Sequence, residues 1–173
     1  MADGDIRRAV PRDVEEIALM VRELAEYERE PDQAKATAED FHRALFGPEP
    51  KVFAHVVEHS SDDGRTLGAF ALWFLNFSTW VGKHGLYLED LYVRPEYRGL
   101  GYGKRLLQEL AQECVANDYG RFEWWVLDWN QPAIDFYRQM GAVAMDEWTV
   151  FRVSGQELRS LAGQSIPNHG PSQ

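Results

Sequence analysis

The sequence predicts one α+β domain around a mixed sheet, and three observations lead there. Short apolar runs closed by turn residues are interspersed with longer segments of three-four apolar spacing. Their order reads strand, two helices, three strands, helix, strand, helix, strands. A glycine-rich turn links the end of one strand to the start of a long helix. With 173 residues, 45% of them apolar and 13% aromatic, the chain can bury a proper core.

Residues 6–10 open as a short strand. Residues 13–28 then carry Val14, Ile17, Ala18, Val21, Leu24 and Ala25 on one helical face. Asp13 and Glu16 are spaced as a capping box, Pro11 suits a first turn, and Glu30-Pro31-Asp32 ends the helix. A second helix spans 38–46, with Thr37 as cap, Asp40 three residues on, and Gly47-Pro48 as its stop. Residues 52–58 form a strand, 60–65 a hairpin turn, and 66–77 an apolar strand buried on both faces. A loop at 78–85 leads to a strand over 86–93, closed by Pro95. Residues 101–117 form a helix with Leu106, Leu107, Leu110, Ala111 and Cys114 on one face. A strand follows at 121–127, then a helix capped by Asn130, with Pro132 in its first turn and Gly141 at its end. Strands near 143–147 and 149–153 come next. Ser154 and Glu157 are spaced to cap a last short helix. The domain is bounded at 1–162, and 163–173 is a polar tail expected to be disordered.

Composition narrows the function. The formal charge of −10 argues against a phosphate-gripping nucleic-acid protein and can concentrate cationic ligands. No apolar stretch approaches a membrane span and the N-terminus lacks a signal-peptide core, so a cytoplasmic home is expected. The single cysteine, Cys114, excludes an intrachain disulfide and reads as a packed helical residue. The five histidines show no metal spacing and read as surface residues; no metal is expected. Trp80, Trp124, Trp125, Trp129 and Trp148 read as core or dimer-interface residues, one of them at most a cation–π contact.

The most informative stretch is LYLEDLYVRPEYRGLGYGKRLLQEL, 86–110. A turn of this kind aims several backbone N–H groups outward, and the helix start adds partial positive charge, so together they cradle an anion. A Walker loop fails twice, with Arg98 where its first glycine belongs and Arg105 after the lysine. A dinucleotide fingerprint read from Gly99 fails at Lys104.

The pattern R-x-x-G-x-G at 98–103 resembles the pyrophosphate loop of the GNAT acetyltransferases. WNQPAIDFYRQMGA at 129–142 resembles their Asn-capped cofactor helix. With ELAEYE at 23–28, LYLEDLYV at 86–93 and YRGLGYG at 97–103, the chain is similar to the spermidine/spermine (diamine) acetyltransferase branch, thialysine acetyltransferases included, over residues 6–160.

This resemblance implies the GNAT acyltransferase fold, a mixed, mostly antiparallel sheet flanked by helices. It implies acetyl-CoA as co-substrate, a small cationic amine as acceptor, and a homodimer. It assigns Glu89 as a water-mediated general base and Tyr137 as the acid that protonates the leaving thiolate. Tyr27, Glu28, Glu89 and Asp90 hold the cationic substrate. Leu91, Tyr92 and Val93 line the thioester. Arg98, Gly99, Leu100, Gly101, Tyr102, Gly103 and Lys104 hold the pyrophosphate, with Asn130, Ala133 and Phe136 along the cofactor helix. The segment AMDEW at 144–148 departs from the family pattern and leaves an acidic contact open between Asp146, Glu147 and none. Two other readings compete: acetylation of a protein lysine or N-terminus, and a non-catalytic acyl-CoA-binding module on the same fold.

Overall fold

The apolar run from Leu67 to Ser78 forms β3, the middle of a five-stranded sheet. In this computed structural model residues 4–59 and 67–164 are described, and they fall into two units, within 1–125 and within 126–173. The expected turn at 60–65 and most of the expected tail lie outside the described residues.

In the first unit β1 (Asp5–Arg8), β2 (Val52–Glu58), β3, β4 (Lys83–Val93) and β5 (Phe122–Trp124) lie side by side in chain order. The first four pair antiparallel, and β5 runs parallel to β4. β4 is longer than its apolar pattern predicts. The expected loop shrinks to residues 79–82, because Lys83, His84 and Gly85 find ladder partners in Ser78, Phe77 and Asn76. β5 is shorter than predicted, since past Trp124 no partner continues the ladder.

Helices α1 (Val14–Tyr27) and α2 (Ala38–Phe46) cover one face of the sheet. Ile17, Met20, Leu24 and Leu45 pack there on Ala54, Val56, Phe70, Leu72 and Tyr92. Each such side chain removed from water contributes roughly 1.5–3 kcal/mol. Thr37 and Asp40 cap α2 reciprocally, as the spacing predicts. At α1 the expected box is replaced. Asp13 turns back to accept the Val10 N–H at 2.8 Å and takes Arg7 at 2.6 and 3.0 Å, while Glu16 is drawn to Arg94.

Helix α3 (Tyr102–Ala116) lies on the opposite face. Arg8 marks that side: its guanidinium stands 4.9 Å from the Trp73 ring and pairs with Glu113 of α3 at 2.7 Å. His55 sits there too, 2% exposed, accepting from the Trp73 indole N–H at 3.1 Å. The surface reading of this histidine is therefore wrong. Burial, then Arg8, pushes its imidazole down to about 4, so it is neutral in the core. Cys114 is buried on the same face, its thiol pushed up to about 11 by burial.

The second unit carries α4 (Gln131–Gln139) and α5 (Gly155–Leu161). The strands expected near 143–147 and 149–153 do not form. Val143, Met145, Val150, Phe151 and Val153 find no laddered neighbour among the described residues and stay exposed. Ser154 makes no side-chain cap to α5. Trp80, Trp125, Trp129 and Trp148 are exposed rather than core residues; the buried tryptophan is Trp73.

Candidate active site

A bulge in β4 aims its acidic pair. Leu72 pairs with Asp90 and Trp73 with Leu88, which leaves Glu89 as an extra residue without a ladder partner. Strict alternation would place Leu88 and Asp90 on one face. The bulge instead leaves Leu88 and Leu91 on the α3 side and turns Asp90, with Tyr92, toward α1. Glu28 arrives at the same place from α1. It continues the stripe of Ile17, Val21 and Leu24, and its N–H donates to Leu24 O at 2.9 Å.

Glu89 and Glu28 therefore both act on Asp90, and no cation is among the groups that shift it. Burial, then Glu89, then Glu28 push Asp90 up to about 7, and burial alone raises Glu28. The ion pair with an arginine that would make Glu89 and Asp90 merely structural is absent among the described residues. Such a cluster is costly until a cation enters it.

Next to the acids, β4 has an open edge. β5 pairs with Leu86, Tyr87 and Leu88 and goes no further, so, among the described residues, positions 89–93 have a strand on one side only. The Arg94 N–H points to β3, where it meets Gly68 O at 3.0 Å. Counting back by twos, the N–H groups of Leu91 and Val93 point to the open side, where they are free to polarise a carbonyl.

The same edge carries the glycine turn. Arg98 reaches back to donate from Nε to Val93 O at 3.1 Å, and its guanidinium lies 4.9 Å from the ring of Tyr27. Gly99 and Gly101 adopt φ of 84° and 81°, conformations that disfavour any side chain, and a Cβ at either would meet nothing within 4 Å. The turn is thus exposed and open, while Tyr102 is buried beneath it. The Arg105 N–H starts the helical ladder, to Gly101 O at 3.0 Å, so the N–H groups of Gly103 and Lys104 come before it and face an incoming anion. That is a cradle a diphosphate fits.

One supporting group lies outside every motif. Arg94, fully buried at the end of β4, donates to Glu16 at 2.6 Å, to Glu23 at 3.1 Å and to Leu67 O at 2.7 Å. Glu16 also accepts the Leu67 N–H at 3.0 Å. The network ties α1 to the start of β3 and to the root of the glycine turn. Its only sequence signal is two glutamates seven apart on α1, ordinary for a solvated face.

The structure brings Tyr27, Glu28, Glu89, Asp90, Leu91, Tyr92, Val93 and residues 98–104 together in the first unit. Asn130, Ala133, Phe136 and Tyr137 belong to the second. There Asn130 Oδ1 caps α4 through the Ala133 N–H at 3.4 Å, and the Phe136 and Tyr137 rings lie 5.4 Å apart. Asp146 and Glu147 lie in the unpaired segment between α4 and α5. Among the described residues no three His, Cys, Asp or Glu side chains are placed to hold a metal ion.

Comparison with known proteins gives matches along the chain. The model of the acetyltransferase (GNAT) family matches residues 17–142. A thialysine N-epsilon-acetyltransferase of Sus scrofa is 38% identical over 171 residues, 95% of this chain and all of that one. The spermidine/spermine N(1)-acetyltransferase-like protein 1 of Homo sapiens is 34% identical over 163 residues, 91% of this chain and 23% of that longer one. Among solved structures, an integron cassette protein from the mobile metagenome of V. cholerae superposes with a TM-score of 0.76 at 25% identity, covering 94% of this chain and 99% of that one.

Proposed function

Because the chain belongs to the GNAT acetyltransferase family, we propose that it transfers the acetyl group of acetyl-CoA to a primary amine of a small cationic acceptor, a polyamine, a diamine or a thialysine-like amino acid. One observation carries this reading: the carboxylates of Glu28, Glu89 and Asp90, with no ion pair among the described residues, lie where β4 opens toward the glycine turn. A cationic amine supplies the missing charge, and the turn supplies a grip for the coenzyme's diphosphate. The names of the pig and human relatives point to the same class of acceptor.

A primary amine with a pKa of ~10 enters protonated and must lose a proton before it attacks. In this reading Glu89, exposed at the bulge, takes that proton through a water. Asp90 contacts the cationic substrate, and Tyr27 with Glu28 holds its distal amine. The freed amine attacks the thioester carbonyl. The Leu91 and Val93 N–H groups receive the developing negative charge on oxygen. As the tetrahedral adduct collapses the carbon–sulfur bond breaks, and Tyr137 gives its phenolic proton to the departing thiolate. The amides of Arg98, Gly99, Leu100, Gly101, Tyr102, Gly103 and Lys104 hold the diphosphate, and Asn130, Ala133 and Phe136 line the coenzyme. Residues 1–162 work as one domain, in a cytoplasmic homodimer.

The test is a panel of amines with acetyl-CoA and a free-thiol readout. Turnover is expected with spermidine, a short diamine or thialysine. No thiol release on any amine, with CoA binding intact, would leave a binding module instead. In the same assay Tyr137→Phe lowers kcat by about 10²-fold or more while leaving the Kd for CoA within about twofold. Equal loss of both makes Tyr137 a packing residue.

A further inference from the structure

Both feet of the glycine turn stand on one imidazole. His59, just past β2, accepts or donates a hydrogen bond at 2.8 Å between Nδ1 and the hydroxyl of Tyr102, the first residue of α3. Its ring also lies 4.3 Å from the ring of Tyr97, which precedes Arg98. The turn from 98 to 101 is strung between these two tyrosines.

The seat beneath them is shaped for the purpose. Tyr102 is 1% exposed. A Cβ at Gly68 would stand 2.9 Å from the Tyr102 ring and 3.1 Å from that of Tyr97, and one at Gly4 would stand 3.0 Å from the Tyr102 ring. The missing side chains let both rings drop onto the ends of β1 and β3. The hydroxyl of a ring buried so fully needs a partner, and His59 is one such partner.

We propose that His59 is a positioning residue for coenzyme binding. It fixes Tyr97 and Tyr102, and through them holds the backbone amides of 98–104 in the arrangement that receives a diphosphate. This rests on the reading that the diphosphate binds at 98–104. His59 touches no reacting group, so its effect appears in affinity for the diphosphate-bearing ligand rather than in the chemical step.

The experiment compares the Kd of CoA with that of pantetheine, which lacks the diphosphate, by calorimetry on the full chain. In the wild type CoA binds far more tightly than pantetheine. His59→Phe and Tyr102→Phe are each expected to shrink that advantage by about threefold to tenfold, the worth of one hydrogen bond. The double variant loses no more than either single one, because the two groups act as a unit. His59→Asn, which keeps an acceptor near the Nδ1 position, recovers most of the loss. If the wild type discriminates but His59→Phe discriminates equally well, the positioning role is wrong. If both ligands weaken together in the variants, the residue supports the fold alone and the proposal falls. If the wild type does not distinguish CoA from pantetheine, the site at 98–104 is itself misassigned.

Discussion

Asp90→Asn tests the acidic site through stability, without any substrate. Asp90 is held at about 7 against an ordinary 3.8, by burial first and then by Glu89 and Glu28. The folded chain thus binds this proton more tightly than the unfolded chain. The site favours the folded state fully below about pH 4, and that advantage is lost as pH rises through about 7. A gap of that size between folded and unfolded chain corresponds to ~4 kcal/mol, at roughly 1.4 kcal/mol for each tenfold in proton affinity. Screening at the open edge of β4 brings the expected effect to about 2–4 kcal/mol. Asparagine has the same shape and stays neutral, so its contribution is flat with pH. Urea unfolding of both proteins is followed in half-unit steps from pH 4 to pH 8. The stability of the variant minus that of the wild type widens by about 2–4 kcal/mol across this range, nearly all of it below about pH 7. A short diamine added at pH 8 narrows the gap, because the cation pairs with the ionised carboxylate. A difference that stays constant across the range would refute the reasoning, since Asp90 would then be an ordinary solvated acid.

Two further outcomes follow from the same geometry. Arg94→Met removes a fully buried cation that Glu16 and Glu23 both accept from, so urea unfolding should show a loss of about 3–5 kcal/mol; less than ~1 would mean that both carboxylates swing out to water. Glu28→Gln is expected to raise KM about tenfold for a long polyamine, the worth of one charge-assisted contact, with a short diamine changed by less than about twofold. Equal effects on both acceptors would place Glu28 at the reacting amine rather than at its distal partner.

Local chemistry wrote much of this protein into its sequence. The stripe of Ile17, Val21 and Leu24 pointed α1 at the sheet and carried Glu28 toward the acids. The reciprocal spacing of Thr37 and Asp40 set the start of α2. The glycines at 99, 101 and 103 announced a turn that opens a long helix, and α3 starts there, with Gly99 and Gly101 at positive φ. These signals are legible because each depends on neighbours within about one helical turn. The failures have an equally plain cause. Strands are expected near 143–147 and 149–153, but a strand exists only through its neighbour, and among the described residues no ladder partner reaches that segment. The burial of His55 under Trp73 likewise depended on a residue 18 positions away.

Only tertiary structure decided where the site's polar groups point. The extra residue at Glu89 shows itself only against β3, whose register turns Asp90 toward α1. Arg94 reads as one more charge beside a proline until folding brings Glu16 and Glu23 to it from 78 and 71 residues away. His59 finds Tyr102 across 43 residues. Periodicity records which face of an element is apolar. It holds no record of which distant group fills the remaining polar positions, because that choice is made by strand register and helix docking.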